Sequence, residues 1–223
     1  LYSYPCWYDP PNYIWPQVAW ASRQVPLIAI INPDNGPGSG FPNSDYRRGL
    51  ADLASGAAVV VGYVYTSYGQ RPAAQVLSDA AKYTNSPAVR GIFLDEVDST
   101  TNHLAYYRSI AQAIRAVPGM SLVILNPGTP IAEEYVRSGV GDIAVIFEDR
   151  EGWREYEPPA WCSSFPAQRF SMLWLGCPSE DDMRSGVDRA VDRNFGWIYI
   201  TNDDLPNPWD SLPAWWSNLV ARV

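Results

Sequence analysis

The 223-residue sequence predicts an α/β fold: a (β/α)8 TIM barrel forming a single domain over residues 1–223. Three observations predict it. Eight short apolar runs recur along the chain, mostly continuous rather than alternating, the pattern of strands covered on both faces. Stretches with helical periodicity lie between them. The strand–helix unit returns about every 28 residues, an alternation that gives parallel strands with helical crossovers. A doubly wound open sheet would carry a Gly-rich turn after its first strand. Here the first run leads into Asp9-Pro10-Pro11-Asn12, and no low-complexity linker divides the chain.

Strands are expected over 2–8, 27–31, 58–65, 89–94, 122–125, 143–147, 170–175 and 197–200. The helix expected over 45–54 follows Asn43-Ser44, both good capping residues. A second, over 73–83, places Val76, Leu77, Ala80 and Ala81 on one stripe. The third, over 103–117, repeats Leu104, Tyr107, Ile110, Ala111 and Ile114 at helical spacing and stops at Pro118-Gly119. Residues 181–193 do the same with Met183, Val187, Ala190 and Val191, and a helix over 213–220 closes the chain.

A formal net charge of −8 and a pI near 4.6 argue against nucleic acid and an anionic membrane surface as partners. Cys6, Cys162 and Cys177 are too few for a disulfide framework, allow at most one bridge, and have no zinc spacing. The single histidine, His103, excludes a histidine-rich metal site. It is expected at the start of the helix after the fourth strand. No apolar run is long enough to span a membrane. A start at Leu1, ten Trp, fourteen Tyr and the single Lys82 suit a trimmed, secreted, extracellular protein.

In such barrels chemistry sits where the strands end. The first polar residues there are Asp9, Asn32, Thr66, Asp95 with Glu96, Asn126, Glu148 with Asp149, Ser179, and Thr201 with Asn202. Trp7, Tyr8, Tyr65, Tyr68, Trp153, Trp174 and Trp209 crowd the same rim. Carboxylates, amides and flat rings with hardly a cation suit a sugar. Two stretches matter most: GIFLDEVD, which delivers Asp95 and Glu96 at the tip of the fourth strand, and IAVIFED, which delivers Glu148 at the tip of the sixth. Glycosidic cleavage needs one carboxylic acid to protonate the leaving oxygen and a second carboxylate opposite it. Glu148 is the expected acid/base. Asp95 is the expected nucleophile with Glu96 orienting it, although those two roles could be exchanged; Asp95 shares strand parity with Phe93. Substrate contacts are expected from Tyr8, Asp9, Asn32, Tyr65, Asn126, Trp174 and Asn202. Plainer roles compete. Asn32 and Asn126 each precede proline and could simply form turns. Trp174 could point outward under a helix, Asp98 and Asp149 could be caps, and Trp215 and Trp216 suit packing.

FLDE on the fourth strand, NPG after the fifth and IFE on the sixth resemble the spherulin-4-like proteins, glycoside hydrolase family 135. PCWYDP and INPDNGPG at the first two strand ends are similar as well, so the resemblance runs the length of the chain. It implies the same barrel and endo-acting hydrolysis of α-1,4-linked galactosamine or N-acetylgalactosamine exopolysaccharide, as in biofilm matrix. It also implies an Asp-Glu pair and a Glu as the essential carboxylates, here Asp95, Glu96 and Glu148. No cofactor and no metal are expected, and a monomer is. The rival expectation is a carbohydrate-binding or spore-coat protein on an inactivated barrel. A phosphate-binding metabolic barrel would want a glycine-rich anion site after the last two strands, where this chain is acidic.

Overall fold

The computed structural model describes residues 2–3 and 13–223. Eight parallel strands stand side by side in chain order: β1 (Tyr2–Ser3), β2 (Ile28–Ile31), β3 (Val59–Tyr65), β4 (Val89–Asp95), β5 (Leu122–Leu125), β6 (Ile143–Asp149), β7 (Phe170–Trp174) and β8 (Trp197–Ile200). Each pairs with the next in parallel register, for example Tyr65 with Asp95 and Leu94 with Leu125. Among the described residues no ladder joins β8 to β1. The expectation of a closed (β/α)8 barrel therefore narrows to a curled parallel α/β sheet: seven full strands with the two-residue β1 at one edge. The rest of the expected first strand, 4–8, lies outside the described residues.

The strands form where expected because they are buried on both faces, as in the burial of Ile92, Phe93 and Leu94 on β4. Among the described residues seven helices accompany them: α1 (Trp15–Ala21), α2 (Ser44–Ala54), α3 (Ala73–Tyr83), α4 (Leu104–Arg115), α5 (Glu133–Arg137), α6 (Glu180–Asp192) and α7 (Trp216–Arg222). Asn43 caps α2 by accepting the Tyr46 N–H, and Ser179 caps α6 by accepting that of Asp182. Three acidic residues, Glu180, Asp181 and Asp182, follow in the first turn of α6, where the helix dipole favours them.

Two helices exceed the sequence expectation. α1 buries Trp15 and Val18 and rests on α2, where Gly49 leaves room that a side chain would take from the Trp15 ring. α5 is a short turn that buries Tyr135 and Val136. The strict strand–helix alternation fails between β6 and β7. That connection has 3-10 turns at Ala160–Ser164 and Ala167–Arg169, each entered through a proline, which cannot continue a helix. The last helix starts three residues later than expected and runs on to Arg222.

Outside the sheet, Tyr83 of α3 lies over Gly62 of β3, where a side chain would collide with its ring. Its hydroxyl donates to the carbonyls of Ile31 and Tyr63, tying three elements together.

Candidate active site

Asp95 is the last residue of β4. Phe93, two residues below it, stacks on Tyr63 of β3 with ring centroids 6.2 Å apart. The Tyr63 hydroxyl donates to Asp95 Oδ2 at 2.7 Å, and Asn126 Nδ2 donates to Asp95 Oδ1 at 2.7 Å. The same Asn126 nitrogen donates to Glu148 Oε2 at 2.6 Å. One amide thus bridges the two carboxyl groups. The NPG motif explains the bridge. Gly128 N–H donates to Asn126 Oδ1 at 3.0 Å, which fixes the amide so that its two N–H bonds face the acids. The Glu148 N–H donates to the Gly128 carbonyl at 2.9 Å. Gly128 has a φ of +66°, a left-handed conformation that favours glycine here.

Simple alternation along β6 would turn Glu148 away from this centre. A β-bulge corrects it. Val145 pairs with Ser171, but the next pair is Phe147 with Met172, and Ile146 is left over. After the bulge Glu148 pairs with Leu173, so it reaches the Asp95 side of the sheet. Phe147 turns outward onto Trp153 and Tyr156, at centroid distances of 5.1 and 5.0 Å.

Glu148 is largely enclosed. Burial pushes its pKa up to about 7, the Asp95 charge adds to the rise, and the Asn126 bond works against it. A carboxyl group that holds its proton near neutral pH beside a second carboxylate can act as an acid and, after release, as a base.

Glu96 leaves the strand with φ +52°, a left-handed conformation uncommon for a side chain of its kind. Thr66 holds it there: its buried hydroxyl donates to the carbonyls of Asp95 and Glu96 at 2.9 and 2.8 Å. The Tyr107 hydroxyl stands 2.8 Å from that of Thr66 and accepts the Asp98 N–H at 3.0 Å.

The remaining expected contacts divide. Asn32 is buried and its Oδ1 accepts the Gly36 N–H at 2.7 Å, so it builds a turn. Tyr65 sits at the tip of β3 in register with Asp95, with the Arg71 guanidinium 4.2 Å above its ring. Trp174 is a correction. Its ring is buried under Gly186 of α6 and its Nε1 donates to the Arg150 carbonyl, so it packs outside the sheet rather than at the mouth. Trp153 belongs with it, buried among Phe147, Phe195 and the Arg193 guanidinium. Asn202 is exposed, and its Oδ1 accepts the Ala214 N–H to brace the last segment. Tyr8 and Asp9 lie outside the described residues. Asp98 accepts the Thr100 N–H and pairs with His103, and Asp149 accepts the Arg150 N–H; both hold turns, while Thr100 and His103 rather than Asp98 cap the helical turns after β4, and no helix directly follows Asp149. Cys162 and Cys177 are buried free thiols, pushed up by burial to about 12 and about 11. Among the described residues no group of His, Cys, Asp or Glu could hold a metal ion, and no helix is long and apolar enough to cross a membrane.

The family model of the spherulation-specific family 4, Spherulin4, matches residues 1–223. The chain belongs to that family. It is 35% identical over 207 residues to Spherulin-4 of Physarum polycephalum, covering 86% of this chain and 62% of that protein. The chain thus spans under two thirds of that curated relative's length. Its fold is similar to that of Aspergillus clavatus Sph3, solved in complex with GalNAc, with a TM-score of 0.81 and 25% identity over 100% of this chain and 94% of the other. The resemblance to spherulin-4-like proteins, glycoside hydrolase family 135, read from FLDE, NPG and IFE is borne out.

Sequence reading passed over two features of this Spherulin4 site. Tyr63 is buried in a strand and reads as core, and only the contact of its hydroxyl with Asp95 sets it apart. The Thr66–Tyr107 hydroxyl pair joins the residue after β3 to α4, and no local spacing marks it.

Proposed function

We propose that this chain is an endo-acting, retaining glycoside hydrolase that cleaves α-1,4-linked N-acetylgalactosamine or galactosamine exopolysaccharide. The observation that carries the reading is the shared Asn126 amide, which donates to both Asp95 and Glu148; the upward push on the Glu148 pKa, to about 7, supports it. Two oxygens less than 3 Å from one nitrogen lie within roughly 5 Å of each other. That is the span of the nearest oxygens rather than of the whole carboxyl groups, and so close an approach supports the retaining arrangement (~5–5.5 Å) over the inverting one (~6.5–9.5 Å).

In this mechanism Glu148 gives its proton to the glycosidic oxygen as the bond to C1 breaks. Asp95, accepting from Tyr63 and Asn126 at both oxygens as an anion does, attacks C1 and forms a glycosyl ester. Glu148, now a carboxylate, takes a proton from water. The water oxygen attacks C1, and Asp95 leaves as a carboxylate. Glu96 shapes the turn beside Asp95. Supporting the sugar is the GalNAc bound to the similar Sph3. The reading includes a secreted, monomeric, single-domain protein that works without a cofactor. A binding-only protein on the same scaffold is the alternative; the Glu148 pKa, raised to about 7 beside a second carboxylate, favours the enzyme, because acid catalysis uses such a group.

The test is mass spectrometry of defined α-1,4-linked galactosamine oligomers, acetylated and not, incubated with wild type, Asp95→Asn and Glu148→Gln. Internal cleavage by wild type, lost at least about 10³-fold in both variants, is expected. Tight binding without cleavage by wild type would instead establish the binding-only protein.

A further inference from the structure

We infer that Tyr68 is a stacking platform for one pyranose unit of the polymer, forming a subsite beside Glu96; this rests on the glycosidase reading above. Five non-glycine residues among those described have positive φ: Asn35, Ser67, Tyr68, Glu96 and Asn194. Asparagine adopts this conformation readily, so two of them need no special cause. The other three meet at one place. Ser67 and Tyr68, with φ of +47° and +54°, form the turn after β3 and are followed by Gly69 at +83°. The Tyr68 N–H donates to the carbonyl of Glu96, itself left-handed, at 2.6 Å.

Strain of this kind persists only where surrounding contacts over-determine it, and here they do. Thr66 N–H and the Thr66 hydroxyl both donate to the Asp95 carbonyl at 2.9 Å, binding the turn to the catalytic strand. The Gly69 and Arg71 N–H groups donate back to the Thr66 carbonyl at 3.1 Å. The His103 ring lies where a side chain on residue 69 would stand, and its Nδ1 is 2.6 Å from Asp98 Oδ2, so the loop after β4 clamps the turn from outside. What this clamp holds up is a phenol ring that makes little of its own fold: Tyr68 is 58% exposed, the most open of the large aromatic side chains among the described residues.

A lone exposed aromatic is ordinary on a protein surface. An exposed aromatic locked in a disfavoured conformation, with its backbone bonded to the residue after the nucleophile, is not explained by stability. Flat rings offer a sugar a large, rigid contact face with little entropy to lose. The location, one residue from Asp95 across a backbone hydrogen bond, fits a ring next to the cleavage point.

The experiment measures binding, not cleavage, in the Glu148→Gln background, by calorimetry with an α-1,4-linked N-acetylgalactosamine hexamer. Tyr68→Ala and Tyr68→Gly should each weaken binding about 10-fold, whereas Tyr68→Phe and Tyr68→Trp should stay within about 2-fold of the Glu148→Gln parent. Tyr68→Gly should also raise Tm, because glycine relieves the left-handed strain, and weaker binding by a more stable protein cannot come from misfolding. Hexamer affinity unchanged in Tyr68→Ala and Tyr68→Gly would overturn the platform. So would an equal loss in Tyr68→Phe, or a lowered Tm in Tyr68→Gly. If the Glu148→Gln parent with Tyr68 intact binds no hexamer, the glycosidase reading falls and the platform with it.

Discussion

Replacing Glu148 with glutamine should make the protein more stable at high pH and leave it unchanged at low pH. Glu148 has an ordinary value of 4.5 and is raised to about 7 in the fold. A group whose folded pKa lies above its unfolded one contributes most favourably below the unfolded value. That contribution is lost as pH rises through the folded pKa. Between pH 4.5 and 7 the folded state binds more protons than the unfolded one, so stability falls across that window and levels off above it. At 1.36 kcal/mol per pH unit the rise corresponds to about 3 kcal/mol, an upper figure because the residue, though largely enclosed, keeps part of its surface in solvent. Glutamine is a neutral near-isostere of the protonated acid, and its amide oxygen can keep the Asn126 bond. The assay is thermal unfolding of wild type and Glu148→Gln from pH 4 to 9. The Tm difference should be near zero below pH 4.5, open with a midpoint short of 7, and reach roughly 5–10 °C. A difference constant across the range would refute the reasoning, because it would mean that Glu148 titrates alike in both states.

Three further outcomes follow from the same contacts. Tyr63→Phe removes the donor to Asp95 Oδ2 and should lower kcat about 10-fold with little change in KM, read by steady-state kinetics on the hexamer. Gly128→Ala puts a side chain on a left-handed backbone, with φ +66°, in the turn that holds Asn126 and Glu148, and should cost about 1–2 kcal/mol in a denaturant titration while reducing activity. Trp174→Phe loses a buried ring system and the bond to the Arg150 carbonyl, and should lower Tm while leaving hexamer KM unchanged.

The strands were legible because burial on both faces leaves continuous apolar runs, and the long helices because their outer faces turn to water and keep a period. α1 and α5 escaped because each has only two turns or fewer, too short for a period to show. The carboxylates were legible as residue types at strand ends, but not their orientation. IAVIF is apolar throughout, so nothing in it announces that Ile146 bulges and that Glu148, rather than Phe147, turns inward. The same uniformity hid the outward face of Trp174, since both sides of β7 are buried. Asn126 posed a choice between turn and contact that the structure dissolves: Oδ1 makes the turn while Nδ2 holds both acids. Long-range hydroxyl contacts such as Tyr63 to Asp95 join residues 32 positions apart, which no reading of local spacing can pair.

The pH dependence of kcat/KM for cleavage of the α-1,4-linked hexamer by the wild-type protein tests most directly whether Asp95 and Glu148 work as one unit across Asn126. The account predicts a descending limb near pH 7, as Glu148 loses the proton it must donate. Cleavage that stays level up to pH 9, or no cleavage at any pH, would contradict it.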